Sequence, residues 1–369
     1  MFRLDKRLFT NFDWVMLVAF LVVSGVSIIN LYSAGYKSEI TGTPFYIKQM
    51  YFTLIGLACM IFIFSFDYRV LLNFGYPLYG TINLLLLLAL IIGKTEKGSQ
   101  RWIDLGLFNL QPSELAKLVL VIVLAGYYYR KDTGQGFSLQ ELIVPILLCA
   151  APFIMILKQP DLGTGLLLVF IFISMTLFVK LRWSTFLTLL GAAVAAGLIG
   201  WMHVLKPYQQ QRIKTFLNPE DDPRNTGYHI LQSKIAMGSG LEFGKGYLKG
   251  TQGHLDFLPE RHTDFVFSVW AEEWGFVGSL FFLGCYFFLI LWGIHTAVQS
   301  KDKFGVILAF GICSLLFWQA FINLAMVMGL LPVVGIPLPL MSYGGSSLIT
   351  TIIGIAILMN IRMRRFLTP

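Results

Sequence analysis

The chain has 369 residues, of which 56% are hydrophobic and only 13% charged, with a formal net charge of +8 at pH 7 and a mean hydropathy of +0.71. About a quarter of a soluble domain is charged, so this composition excludes a soluble enzyme and describes an integral membrane protein. The positive charge must be read by location, because in such a chain it sets topology first, and no nucleic-acid partner is expected.

Apolar runs of about 20 residues, each enough to cross about 30 Å of hydrocarbon, recur along the whole length. They predict about ten transmembrane helices, at residues 13–33, 47–66, 70–92, 113–129, 139–157, 162–179, 184–205, 265–296, 304–330 and 346–362. The expected fold is an all-α integral membrane protein, one polytopic domain over residues 1–369. The first run starts near Trp14 without a small-residue cleavage site, and reads as a retained anchor rather than a signal peptide. With the N-terminus in the cytoplasm, the inner segments hold Arg3, Lys6, Arg7, Arg69, Arg130, Lys131, Lys180, Arg182, Lys301 and Lys303. The tail adds Arg362, Arg364 and Arg365, which completes a positive-inside pattern and places both termini in the cytoplasm. One large loop, 206–263, is then extracytoplasmic. Cys59, Cys149, Cys285 and Cys313 lie inside apolar runs without a C-x-x-C pair, so neither a disulfide framework nor a zinc site is indicated.

Two outer segments depart from the charge rule. The loop after the third span holds Lys94, Lys97 and Arg101, and the long loop holds eight more Lys or Arg. Length exempts the long loop but not the short one, whose charge asks for an anionic ligand. The seventh span is crowded with small residues (Gly191, Ala192, Ala193, Ala195, Ala196, Gly197, Gly200), the pattern of close helix packing. Gly244-Lys245 and Gly93-Lys94-Thr95 resemble fragments of a phosphate loop but lack its upstream glycine and strand–helix context, so no nucleotide site is expected. The two halves show no repeat, which counts against an inverted-repeat transporter.

The densest polar signal is Pro259-Glu260-Arg261-His262-Thr263-Asp264-Phe265, which leads into an apolar run carrying Glu272 and Glu273. Ionisable groups at or inside the hydrocarbon layer are costly and mark functional sites by default. Three other segments fall on the same outer side. The first is Arg101-Trp102 with Gln111-Pro112-Ser113-Glu114 and Lys117, where Glu114 and Lys117 also suit a simple ion pair at a spacing of three. The second is Gln159-Pro160-Asp161, with Asp161 also a natural N-cap. The third is Pro339-Leu340-Met341-Ser342-Tyr343-Gly344-Gly345, whose helix-breaking residues are tolerated at membrane depth only when lining a cavity or buried in protein. No His- or Cys-rich set accompanies them. No cofactor is assigned, while a loosely held Mg²⁺ or Mn²⁺ bridging carboxylates and phosphate oxygens is compatible with these residues.

Taken in order, Gln100-Arg101-Trp102-Ile103, Gln111-Pro112-Ser113-Glu114, Gln159-Pro160-Asp161-Leu162-Gly163-Thr164, Leu258-Pro259-Glu260-Arg261-His262-Thr263-Asp264-Phe265 and Pro339-Leu340-Met341-Ser342-Tyr343-Gly344-Gly345 resemble the SEDS family of bacterial shape, elongation, division and sporulation proteins. The Glu-Arg-His-Thr-Asp wording and the short tails favour its elongation branch. The resemblance implies a peptidoglycan glycosyltransferase of the bacterial inner membrane that polymerises lipid II. It also implies a class B penicillin-binding protein (a transpeptidase) as partner, within an elongation complex with MreC and MreD, and Asp264 as the essential acidic residue.

That chemistry assigns Asp264 as the general base for an acceptor hydroxyl. Arg101, Lys117 and Arg261 become the cations facing the diphosphate, with Lys94 and Lys97 behind them. Trp102 offers a ring to a sugar, and Glu114, Asp161, His262 and Ser342 complete the substrate cavity. Glu260, Glu272 and Glu273 are supports for Asp264. Two other classes remain open from the residues: a lipid-linked precursor flippase using Glu272 and Glu273 as ion sites, and a scaffold that only recruits the transpeptidase.

Overall fold

A computed structural model of the chain describes residues 10–36, 43–96, 99–104, 106, 109–131, 134, 136–200, 202, 207–218, 226–253, 257–258 and 260–366. Arg3, Lys6, Arg7, Lys97, Lys206 and Pro259 lie outside the described residues. The helices are α1 (Trp14–Ala34), α2 (Phe45–Phe64), α3 (Val70–Ile92), α4 (Pro112–Lys131), α5 (Leu139–Lys158), α6 (Leu162–Phe178), α7 (Trp183–Ile199), α8 (Pro207–Leu217), α9 (Thr226–Ser239), α10 (Val266–Gln299), α11 (Lys303–Val327) and α12 (Gly345–Met363). Between α3 and α4, strands β1 (Lys94–Glu96), β2 (Ser99–Asp104) and β3 (Asn109–Leu110) form an antiparallel sheet in the order β1-β2-β3. Eight helices (α1–α5 and α10–α12) are long and apolar enough to cross a membrane, and α6 and α7 are shorter apolar helices. The fold is that of an all-α membrane protein, with these helices on the predicted apolar runs.

Helix starts follow local chemistry. Asp13 accepts from the Met16 amide at 3.1 Å to cap α1, and Asp302 accepts from the Gly305 amide at 2.9 Å to cap α11. Such caps satisfy amides that have no partner within the helix. Pro112 is the first residue of α4, where its missing N–H costs nothing. In α4 and α12, 89% and 83% of the most apolar window is buried, against 17% in α2, so α4 and α12 form the centre of the bundle. The small-residue stripe of α7 behaves differently from the expectation. A Cβ on Gly191, Gly197 or Gly200 meets nothing within 4 Å, so among the described residues this stripe packs against no other helix of the chain.

The cations of the predicted inner segments gather at one end of the bundle. Arg69 lies 3.7 Å from Asp302, Arg362 lies 3.3 Å from Asp13, and Arg364 lies 3.8 Å from Asp67. Tyr68 donates its hydroxyl to Asp302. Burial first, and the Asp302 carboxylate second, push that phenol above its ordinary range and keep it a donor.

The polar segments gather at the opposite end, where the predicted eighth span is broken. The predicted loop is partly helical. It contains α8 and α9, and α9 lies on α10 with Ser233 donating to the Val327 carbonyl at 2.7 Å and pairing with the Ser268 hydroxyl at 2.9 Å. The eighth span is not one continuous crossing. Its 34 residues would reach about 51 Å at 1.5 Å per residue, but Gly275 (φ 66°, ψ −160°) breaks the helix. Residues 276–299 alone reach about 36 Å, enough for the hydrocarbon. Segment 240–253, here termed the strap, fills the break. The amides of Phe276 and Val277 donate to the carbonyls of Leu241 (2.8 Å) and Glu242 (3.0 Å), while the Glu272 and Glu273 carbonyls accept from the amides of Lys245 and Gly246, both at 3.0 Å.

Gly275 and Gly244 permit this contact, because both have positive φ and a Cβ on either would strike the backbone of the other segment. Gly275→Ala is therefore expected to destabilise the purified protein by at least the ~1–3 kcal/mol of a strained backbone. Gly191→Ala, in open space on α7, should leave stability unchanged or raise it by up to ~1 kcal/mol. Thermal unfolding of the two variants in the same detergent measures both.

Candidate active site

Asp264 sits at the mouth of α10, in a turn closed by the amides of Thr263 (3.1 Å) and Phe265 (3.3 Å) donating to the Glu260 carbonyl. Glu260 is exposed, and its carboxylate accepts from the Thr263 hydroxyl at 3.1 Å. The turn is held from both sides. Asn323 of α11 donates to the Asp264 carbonyl at 2.9 Å and to the Ile336 carbonyl at 2.7 Å. Buried Arg261 donates to the carbonyls of Ala34 (2.8 Å) and Gly253. The half-buried Asp264 carboxylate faces Gly335, where a Cβ would stand 3.5 Å from Oδ2.

The segment before α12 closes on this turn. Ser342 donates its hydroxyl to the Thr263 carbonyl at 2.5 Å and accepts from the Leu338 amide at 2.8 Å, while the Tyr343 amide donates to the His262 carbonyl at 2.8 Å. The His262 ring lies against Phe45 at 4.4 Å, and Phe45 against Tyr343 at 4.8 Å. Ser342 therefore shapes the loop through backbone groups.

The α6 mouth joins from the other side. Asp161 caps α6, accepting from the Thr164 amide (3.1 Å) and hydroxyl (2.9 Å). Arg101, projecting from β2, binds the same corner through the carbonyls of Gln159 (3.2 Å) and Pro160 (2.8 Å) and through Asp161 Oδ2 (3.2 Å). Gly163 packs against the Val334 carbonyl and Ile336, so the start of α6, which Asp161 caps and Arg101 holds, and Asp264 approach one loop, 334–336. Half-buried Trp102 pairs with Lys94 across β1–β2. Ser346, at the start of α12, joins that sheet to the rest by accepting from the Gln111 amide (3.0 Å) and donating to the Asn109 carbonyl (3.1 Å).

The cations expected to line one open cavity are placed differently from one another. Lys117 is buried and lies 2.7 Å from Glu114 Oε2, with only 2% and 4% of the two side chains exposed. Arg261 is buried on backbone carbonyls, and Arg101 combines anchoring with 26% side-chain exposure. Glu272 and Glu273 stand at the helix break rather than deep in a continuous helix. Glu272 accepts from Lys245 Nζ (2.6 Å), from the Thr251 amide (2.7 Å) and hydroxyl (2.9 Å), and from the Gln252 amide (3.1 Å). Glu273 accepts from the Ser33 hydroxyl.

Sequence reasoning missed Asn323, Gly335 and Lys245. Asn323 carried a signal, as a carboxamide inside an apolar run. Gly335 and Lys245 had none beyond their loops. Among the described residues no three His, Cys, Asp or Glu lie together as a metal-ligand set.

The FtsW/RodA/SpoVE family model, described as cell cycle protein, matches residues 11–366. Peptidoglycan glycosyltransferase MrdB of Escherichia coli K12 is 42% identical over 315 residues, covering 84% of each chain. A solved chain described under the structural coordination of polymerization and crosslinking by a peptidoglycan synthase complex has a TM-score of 0.82 at 30% identity, covering 97% of this chain and 99% of that one. Crystalline rod shape determining protein RodA of Thermus thermophilus has a TM-score of 0.72 at 29% identity, covering 97% and 98%. With the family model spanning nearly every described residue, and the same fold in relatives of this identity, the chain belongs to the FtsW/RodA/SpoVE cell cycle proteins, the SEDS family.

Proposed function

We propose that the chain is a peptidoglycan glycosyltransferase of the bacterial cytoplasmic membrane, polymerising lipid II during cell elongation and rod-shape maintenance. The observation that carries this is the placement of Asp264, half-buried beside loop 334–336, against which the start of α6 also packs with Arg101 fixed to its Asp161 corner. The E. coli and Thermus relatives, named for glycosyl transfer and rod shape, support the activity and the elongation role.

In this reading an acceptor sugar hydroxyl attacks the anomeric carbon of the donor. The bond from that carbon to the diphosphate oxygen breaks, the diphosphate leaves with the electron pair, and the hydroxyl proton passes to Asp264. Arg101 faces the charge that develops on the diphosphate, held in place by Asp161 and two carbonyls so that little reorganisation is needed. Lys117, Glu114 and Arg261 contribute by holding the frame, Trp102 and His262 present rings toward the sugars, and Ser342 shapes the loop. The solved relative described with polymerization and crosslinking supports a class B penicillin-binding protein as partner, and an elongation complex with MreC and MreD is its expected setting. The flippase reading relied on Glu272 and Glu273 as ion sites. Their engagement with Lys245, Ser33 and strap amides supports a framework role instead.

Purified protein with labelled lipid II, in detergent and without a gradient, separates the classes. Polymer supports the enzyme, lipid movement across a bilayer without polymer supports a flippase, and neither supports a scaffold. Asp264→Asn should fold normally and lower polymerisation by the ~10²–10⁴-fold typical of a lost general base. Near-normal turnover in a folded variant removes the assigned role.

The buried pair answers to a different measurement. Glu114→Gln leaves Lys117 buried beside a neutral amide and should destabilise by ~3–5 kcal/mol. The double variant Glu114→Gln/Lys117→Met should recover most of the thermal midpoint and retain measurable turnover. Stability restored with turnover abolished would instead assign Lys117 to the substrate.

A further inference from the structure

Arg261 stands three residues before Asp264 and donates to the carbonyls of Ala34 and Gly253. Each carbonyl belongs to a residue directly after one that a buried carboxylate holds. Gln252, before Gly253, donates its amide to Glu272 at 3.1 Å, together with the Thr251 amide at 2.7 Å. Ser33, before Ala34, donates its hydroxyl to Glu273. Two adjacent carboxylates on the first part of α10 therefore reach the same guanidinium by two separate arms, one through the strap and one through the C-terminal end of α1. The strap passes between them at Gly250, where a Cβ would stand 3.2 Å from Glu272 Oε2 and 3.3 Å from Glu273 Oε1.

We infer that Glu272 and Glu273 are positioning residues for Asp264, acting through Arg261 on the turn of residues 260–265. This rests on the reading of Asp264 as the general base. Here the donors to Glu272 come from Lys245, Thr251 and Gln252, all on the strap. The turn has its own closing bonds from Thr263 and Phe265 to Glu260, so it forms without the relay. What the relay adds is its place relative to α1 and the strap. A base must lie within about 3 Å of the proton it takes, and misplacement by about 1 Å lowers a rate by as much as ~10²-fold.

The test uses the full chain in lipid nanodiscs with labelled lipid II, read by kcat, KM and amide hydrogen exchange. Glu272→Gln, Glu273→Gln and Arg261→Lys should each lower kcat by roughly 10–100-fold with KM little changed. Exchange at residues 260–265 should rise, while amides at the opposite end, in 13–16 and 302–306, stay protected. Because Glu272 and Arg261 act through one path, Glu272→Gln/Arg261→Lys should be no slower than the slower single variant. Lys245→Met, altered at the partly exposed end of the strap arm, should show the same defect in milder form and serves where Glu272→Gln fails to fold.

Multiplying rate losses, unchanged exchange at 260–265, or loss of protection at both ends of the bundle would each overturn the relay. Asp264→Asn separates this from the parent reading. It should abolish turnover without raising exchange at 260–265. If it turns over normally the base assignment fails, and the exchange data still judge whether Glu272 and Glu273 set the turn.

Discussion

The structure depends on one constraint, that backbone amides and carbonyls near the hydrocarbon must find partners inside the protein. At Gly275 the α10 helix stops and restarts, which strands amides on one side and carbonyls on the other. The strap takes up both sets, with its carbonyls receiving the Phe276 and Val277 amides and its amides meeting the Glu272 and Glu273 carbonyls. A piece of the loop between α7 and α10 is thereby fixed into the bundle. Everything that the strap carries to the Asp264 turn follows from that repair.

The same need explains most of the polar side chains that punctuate the apolar helices. Asn30 donates to the Val266 carbonyl, Gln159 to Leu86, Asn323 to Asp264 and Ile336, and Asn360 to Ile63 and Phe66. Asn323 and Asn360 serve carbonyls in loops or at a helix end, while Asn30 and Gln159 tie helices together through carbonyls of α10 and α3. Arg101 and Arg261 do this as well, each holding two carbonyls. Burying such donors is favourable only when the bonds are made, and the carbonyls are satisfied only by donors placed there, so each group justifies the other. At the candidate site Arg101, Arg261 and Asn323 make such bonds around the starts of α6 and α10.

Much of the bundle is legible in the sequence because a membrane helix announces itself by length and composition. The apolar runs at 13–33 and 346–362 became Trp14–Ala34 and Gly345–Met363. Asp161 as a cap and Glu114–Lys117 as a pair were readable from spacing alone. The α10 break was not, since residues 265–296 stay apolar across it. Only their excess length over a bilayer hinted at an interruption. The roof helix α9 was missed for a different reason. It buries Ile230, Ser233 and Ala236 on one face, a pattern with too few apolar residues to read as a span. The approach of the α6 start and Asp264 to loop 334–336, and the anchoring of Arg101 on Asp161, needed tertiary structure, because no spacing relates residues so far apart in the chain.

The charges around Asp264 come largely in neutral pairs: Arg101 with Asp161, Lys117 with Glu114, Lys245 with Glu272. The site is thus not a well of positive charge that would hold any anion, and the +8 of the whole chain does not describe it. An anionic substrate gains from such a site only where its charge meets a donor aimed at it, since a pair that is already neutral gives little long-range attraction. Arg101, anchored on one side and open on the other, has that directed geometry. Holding it by Asp161 lowers its reach for a ground-state ligand but fixes its direction, which is the arrangement that favours charge developing during a reaction over charge already present.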